Sequence, residues 1–263
     1  MALGALYTAA TGMAAQEVNV DNISNNIANV STTAFKRGQV NFEDLLYQKV
    51  VTPGVNSSDA GTEIPSGIQL GRGVKVGAAY KIFEQGGLNP TPNTPLNIAL
   101  DGVGFLRFTL PNGDTAYSRD GSLNLNSDGD IVNAQGYLLD PPINIPENAT
   151  STTITANGMV TVTVDGSPQE QGKIELTRFA NNAGLESIGG NLYLISEASG
   201  EAVDGNAADQ GFGVIRQNYL ENSNVNSVIE LTELIKAQRA FEFNSKTLQT
   251  AEQMYKTVID SKA

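Results

Sequence analysis

The chain contains no cysteine and no histidine. Without thiols it can form no disulfide, no thiolate nucleophile and no cysteine-ligated zinc site. Without imidazole it lacks the commonest general base and metal ligand at neutral pH, and a Ser-His-Asp triad is impossible. Tryptophan is also absent and aromatics make up 6% of residues, which argues against the exposed aromatic platform of a carbohydrate-binding adhesin. Basic residues are scarce, 16 Lys and Arg against 28 Asp and Glu, for a net charge of −12. They are also scattered, with Lys36-Arg37 the only adjacent pair. Phosphate binding needs clustered cations, so nucleic acid is not an expected partner. No stretch approaches the ~20 apolar residues of a membrane-spanning helix. The N-terminus, MALGALYTAATGMAAQEVNVDNIS, has no basic region followed by a continuous apolar run, so no Sec-type signal peptide is expected.

What is present is enough for a packed core: 263 residues, 40% hydrophobic and 17% charged. Three textures follow one another. From Leu3 to about Ala28 there is no proline, and Leu3, Leu6, Ala10 and Met13, then Val20, Ile23, Ile27 and Val30, step at three and four residues. That spacing predicts a helix with a narrow apolar stripe, weakened by Gly12 and the Asn-rich run before Ala28. From about Thr52 to Asn218, seven Asp-Gly or Asn-Gly pairs punctuate strand-like runs such as Gly104–Leu110 and Met159–Val164. These dipeptides supply the positive φ angles of tight hairpins, so antiparallel β structure is expected.

Helix returns at about Ser227, where Ser227 and Glu230 have the spacing of a capping box. Downstream, Leu234, Phe241, Leu248 and Tyr255 recur every seven residues, and Ala237, Asn244, Ala251 and Val258 fill the second position of the same seam. Asn244 is then a polar, register-setting position. A helix with so narrow a seam gains little alone and needs a partner. The N-terminal helix is the natural one, although both helices could instead cover one side of the β region, and pattern leaves the two arrangements open. The expected fold class is α+β: long N- and C-terminal helices paired as a coiled coil, with an inserted, mainly antiparallel β middle, in an elongated subunit.

No constellation speaks for catalysis. Gly71-Arg72-Gly73, Gly102-Val103-Gly104 and Gly211-Phe212-Gly213 lack the full phosphate-loop pattern and read as turns. Asn124, Asn126, Asp128, Gly129 and Gln135 echo a calcium loop, but Gln in place of the bidentate Glu leaves charge and denticity deficient. Nothing singles out two carboxylates for glycoside hydrolysis. No catalytic, metal-ligating or cofactor-binding residue is assigned, and neither a cofactor nor a small-molecule substrate is expected.

The run Ser24-Asn25-Asn26-Ile27-Ala28-Asn29-Val30-Ser31-Thr32-Thr33-Ala34-Phe35-Lys36-Arg37 resembles the signature of the bacterial flagellar rod and hook proteins, approximately S-N-N-[IL]-A-N-x-[NS]-T-x-[GA]-[FY]-[KR]. Its matched positions include Asn25, Asn26, Ala28, Asn29, Thr32, Phe35 and Lys36. Glu221–Asn226, Glu230-Leu231 and Gln238–Glu242 resemble the family's C-terminal hallmark. Length, Phe42–Gln48 and the stretch from about Val51 to Val76, with Pro53, Gly54, Ile64, Pro65, Gly67 and Leu70, resemble the distal-rod members most; a proximal-rod or short hook member is the alternative.

The resemblance covers essentially the whole chain and implies a non-enzymatic structural subunit that polymerises helically with itself into a stiff, hollow drive shaft. It divides the chain into an N-terminal helix and signature (1–35), an extended connector with the distal-rod segment (36–80), β-rich outer domains (81–220) and a C-terminal coiled-coil helix (221–263). The assembly seam would be Leu3, Leu6, Ala10, Met13, Val20 and Ile27 with Leu234, Ala237, Phe241, Asn244, Leu248, Ala251, Tyr255 and Val258. The segment holding Pro53 to Leu70 would stiffen contacts between subunits. Implied neighbours are proximal-rod proteins below, hook protein above and the surrounding P and L rings. Export would pass through the flagellar type III apparatus into a basal body that crosses the periplasm towards the outer membrane.

Overall fold

A computed structural model describes residues 2–51 and 67–260. It has the expected α+β composition: an N-terminal helix, a C-terminal helix and a mainly antiparallel β middle. The chain divides into two compact units. A helical unit comprises residues 1–27, 38–80 and 227–263, and a β unit comprises 28–37 and 81–226.

In the helical unit, α1 spans Ala2–Ala28 and α2 spans Ser227–Asp260. Both are free of proline, and alanine, the strongest helix former, is frequent along α1. A turn in which the Thr32 amide donates to the Asn29 carbonyl follows the end of α1. The two helices pack together and run antiparallel: Asn26 meets Glu230, Gly12 lies against Asn244, and Ala5 lines the same hollow as Ala251. Two heptads from Asn26 to Gly12 are answered by two from Glu230 to Asn244, and the further heptad to Ala5 by one to Ala251, so the register stays constant, as a coiled-coil seam requires. The same unit contains strands Gly38–Asp44 and Val74–Lys81, which pair, and Gln48–Val51 and Ile68–Leu70, which form a second ladder. A second line of α1 meets this sheet: the Val74 amide donates to Thr11 Oγ1, and Gly73 packs on Thr8 and Thr11.

The β unit is organised by a seven-stranded antiparallel sheet, in the order Glu186–Gly189, Leu192–Leu194, Thr115–Ser118, Leu106–Thr109, Leu138–Asp140, Ile131–Val132 and Asn124–Leu125. A three-stranded sheet follows, Ala149–Ile154, Met159–Val164 and Ser167–Lys173. In Met159–Val164 the valines at 160, 162 and 164 are buried while Thr161 and Thr163 alternate with them, the two-residue period of a half-buried strand. Its hairpin to Ser167–Lys173 turns at Asp165-Gly166, both with positive φ, as a two-residue turn matched to the twist of the strands requires.

One apolar core gathers Ile98, Leu106, Phe108, Ile131, Leu139, Val160, Ile174 and Leu176 from several sheets. Each such buried side chain contributes about 1.5–3 kcal/mol. A second, aromatic cluster joins Phe105, Tyr117, Phe179 and Tyr193 with Phe83. Its rings meet edge to face, Tyr117 and Phe179 at 4.8 Å and 88°, the geometry that the ring quadrupoles favour.

Candidate assembly surface and the signature segment

In the helical unit the closest approach of α1 and α2 selects small residues. Ala9 on α1 and Ala237 and Ala251 on α2 are buried, and the space a Cβ would occupy on Gly12 lies 2.8 Å from Asn244 Nδ2. Of the expected seam, Ala237 and Ala251 are buried, and Leu6, Met13, Val20, Ile27, Leu234, Asn244 and Leu248 are half-buried. Ala10, Phe241, Tyr255 and Val258 are exposed, and the side chain of Leu3 lies outside those described. Ile23 of the α1 stripe is buried as well, while the other described large residues of the stripe and seam are half-buried or exposed. Away from that line α2 carries exposed apolar side chains, including Leu231, Ile235, Phe243 and Met254, with Phe243 at 67%. Phe243, Thr247, Thr250 and Met254 border an open hollow of about 340 Å³ beside Ala5.

The ladder that follows α1 adds Leu46, Tyr47, Val50, Ile68 and Leu70 to the exposed apolar set. Of the expected stiffening segment, Gly67 is half-buried and Leu70 exposed; Pro53, Gly54, Ile64 and Pro65 lie outside the described residues.

The signature divides between the units. Its first half belongs to α1, where buried Asn26 works as a bracket. Asn26 Oδ1 accepts the Gly38 amide at 2.8 Å, and Asn26 Nδ2 donates to the Gly38 carbonyl at 2.9 Å and to Glu230 Oε2 at 3.1 Å. Asn22 Nδ2 donates to the same carbonyl. An amide side chain carries donor and acceptor together, so it pairs with both backbone groups of residue 38 as a strand would. Asn25 and Ala28 are exposed.

The second half belongs to the β unit. Thr32 Oγ1 donates to Asn29 Oδ1, and Phe35 is buried. Lys36 is fully buried, as is its partner Glu221. Glu221 Oε1 accepts Lys36 Nζ at 2.6 Å and the Gly86 amide at 2.9 Å, and Glu221 Oε2 accepts Arg119 Nε at 2.9 Å. Two cations thus face one carboxylate. The excess positive charge is spread over backbone carbonyls: Lys36 Nζ also donates to Glu84, and the Arg119 guanidinium to Leu100, Gly102 and Gly104. Burial lowers the Lys36 pKa from its ordinary value; attraction to Glu221 opposes that shift, and Arg119 adds to it.

Lys81 Nζ lies 5.1 Å from the ring centres of both Phe35 and Tyr193, and burial lowers its pKa too. Burial raises the Tyr193 phenol well above its usual range. The signature flagged Lys36, but Glu221 and Arg119 carry no motif that announces a partner. Glu221 lies in the C-terminal hallmark, which assigns it no partner.

Among the described residues no group of three or more Asp or Glu is arranged to hold a metal ion, and no helix is long and apolar enough to cross a membrane. Paired terminal helices with exposed apolar side chains, in a chain whose β unit spends its buried charges on one another, describe a structural subunit. Three family models match in chain order: "Flagella basal body rod protein" over residues 6–36, "Flagellar hook protein FlgE/F/G D1 domain" over 99–162 and "Flagellar basal body rod FlgEFG protein C-terminal" over 216–261. The chain belongs to the flagellar basal-body rod and hook family.

Within that family its similarity to flagellar basal-body rod protein FlgG runs nearly end to end. It is 51% identical to FlgG of Caulobacter vibrioides over 253 residues, covering 95% of this chain and 96% of that one. Against FlgG of Borreliella burgdorferi the identity is 44%, with 95% of each chain covered. Against FlgG of Bacillus subtilis it is 36%, with 99% of each covered.

Proposed function

We propose that this chain is the subunit of the flagellar distal rod, polymerising helically into a stiff, hollow shaft that transmits torque from motor to hook. The observation that carries the reading is the set of exposed apolar side chains on α2, among them Ile235, Phe243 and Met254, in a chain of an axial-protein family. A single subunit gains nothing from such a face; a neighbour that covers it does.

In this reading the seam from Leu3 to Ile27 and from Leu234 to Val258 lies in the inner tube. The same contacts repeat from subunit to subunit without closing, which yields a helical filament. The stretch holding Pro53, Gly54, Ile64, Pro65, Gly67 and Leu70 bridges neighbouring subunits and resists bending. The β unit faces outward, with the P and L rings around it, proximal-rod proteins below and hook protein above. The subunit passes through the flagellar type III apparatus, and the finished rod crosses the periplasm. It catalyses no reaction; its chemistry is that of packing.

Expressing the chain in a bacterium that lacks its own distal-rod protein tests this. Isolated basal bodies should regain a straight rod segment between proximal rod and hook under the electron microscope. Basal bodies that stop at the proximal rod, although the chain is made and exported, would contradict it.

A further inference from the structure

We infer that Glu221 is the positioning residue for the second half of the rod signature, joining chain segments from opposite ends of the sequence to close the β unit. The two partners Lys36 and Glu221 stand 185 positions apart. Every atom of the Glu221 end group is engaged, one oxygen by Lys36 and the Gly86 amide, the other by Arg119. Its own backbone carbonyl accepts the Ala34 amide at 2.7 Å. Around it the segment 33–37 is sewn to three further parts of the unit. Asn191 Nδ2 donates to the Thr33 carbonyl, the Arg37 amide to Asn224 Oδ1, and the Ile82 amide to the Arg37 carbonyl.

Only one of these contacts gathers charge, and it is the one at the centre. Remove the Glu221 charge and Lys36 and Arg119 are left buried with no counter-ion, a large penalty in a low-dielectric interior. The surrounding neutral hydrogen bonds are individually weak and cannot hold the segment against that repulsion. The lysine of the signature is thus an internal fastener: it serves the subunit's own closure, and is not available to a neighbouring subunit. The β unit is complete only when residues 33–37 and 219–224 have both arrived, whatever the sheets between them have already formed.

Hydrogen exchange on the purified, unassembled full chain tests this independently of rod assembly. In Glu221→Gln, the amides of Ala34, Arg37 and Gly86 should exchange at least tenfold faster, while the Leu106–Thr109 and Thr115–Ser118 ladder keeps its protection. Phe179→Leu, a truncation in the aromatic cluster, serves as the comparison and should speed all these amides together. The inference is overturned if Glu221→Gln leaves the segment protected, or loosens segment and ladder in step as Phe179→Leu does. Should Glu221→Gln not fold, the double variant Lys36→Met/Glu221→Gln replaces it, because it removes the same carboxylate and leaves one buried cation in place of two that repel. It should speed exchange of the Ala34 and Gly86 amides selectively, and unchanged exchange there would equally refute the inference.

Discussion

Asn244 of α2 fills the place beside Gly12 of α1 where any other residue would carry its side chain, with Nδ2 2.8 Å from the missing Cβ. This pair sits in the seam in register with Asn26 and Glu230, and it sets how closely the helices approach. Gly12→Ala adds helix propensity of about 1 kcal/mol but pushes on a flexible side-chain end, so the two effects should nearly cancel. Gly12→Leu has no such escape. It should destabilise the helical unit by about 1–3 kcal/mol, as overpacking does, seen as an earlier loss of helical circular dichroism on heating.

Asn26→Ala removes a side chain that makes three hydrogen bonds, two of them to residue 38. At about 1 kcal/mol each, with the Gly38 groups left short of a partner, the loss should reach about 2–4 kcal/mol. Urea unfolding followed by helical signal measures it. Asn25→Ala, at an exposed neighbouring position, should cost less than half as much.

Lys36 and Glu221 should respond unequally to removal although they form one ion pair. Lys36→Met leaves Glu221 still balanced by Arg119 and the Gly86 amide, so the β unit should lose no more than about 1 kcal/mol. Glu221→Gln leaves two buried cations facing each other and should cost about 3–5 kcal/mol. Chemical denaturation of both variants gives the comparison; equal losses would mean the charges do not share the burden as their geometry states.

The same burial predicts a pH dependence. The folded-state pKa of Lys36 is below the ordinary 10.5, so between the lowered and the ordinary value the unfolded chain holds the proton that the folded chain has released. Stability from this group therefore rises as pH rises through that window, and Lys81 acts in the same direction. Tyr193, with its pKa raised, opposes the trend only above its ordinary 10.0. Wild type should gain stability relative to Lys36→Met on going from neutral pH towards 10, measured as the difference in urea midpoints. A constant difference would contradict the assignment.

Much of this was legible in the residues. The heptads from Leu234 onward, the proline-free N-terminus and the Asp-Gly turns are local patterns, and the α+β fold class follows from them, whereas pattern does not decide whether the two helices pack on each other or on the β region. So does the start of α2 at Ser227. The line of α1 that meets α2 was less legible. Counting large apolar residues draws the eye to Leu6, Met13, Val20, Ile23 and Ile27, of which only Ile23 is buried, whereas the close approach to Asn244 depends on Gly12, which carries no hydrophobic signal. The pairing of Lys36 with Glu221 and Arg119 could not be read at all, because spacing along the chain says nothing about contacts 185 positions apart.

The most direct test of the account is whether the exposed face of α2 builds the shaft. Ile235, Phe243 and Met254, all exposed, can be replaced together by Asp in the purified chain, which is then placed under polymerising conditions and examined by electron microscopy. Wild type should form straight tubes, while the triple variant should keep the wild-type helical signal as a subunit and form none. Tubes of normal length and straightness from the variant would contradict the claim that these terminal helices assemble the rod.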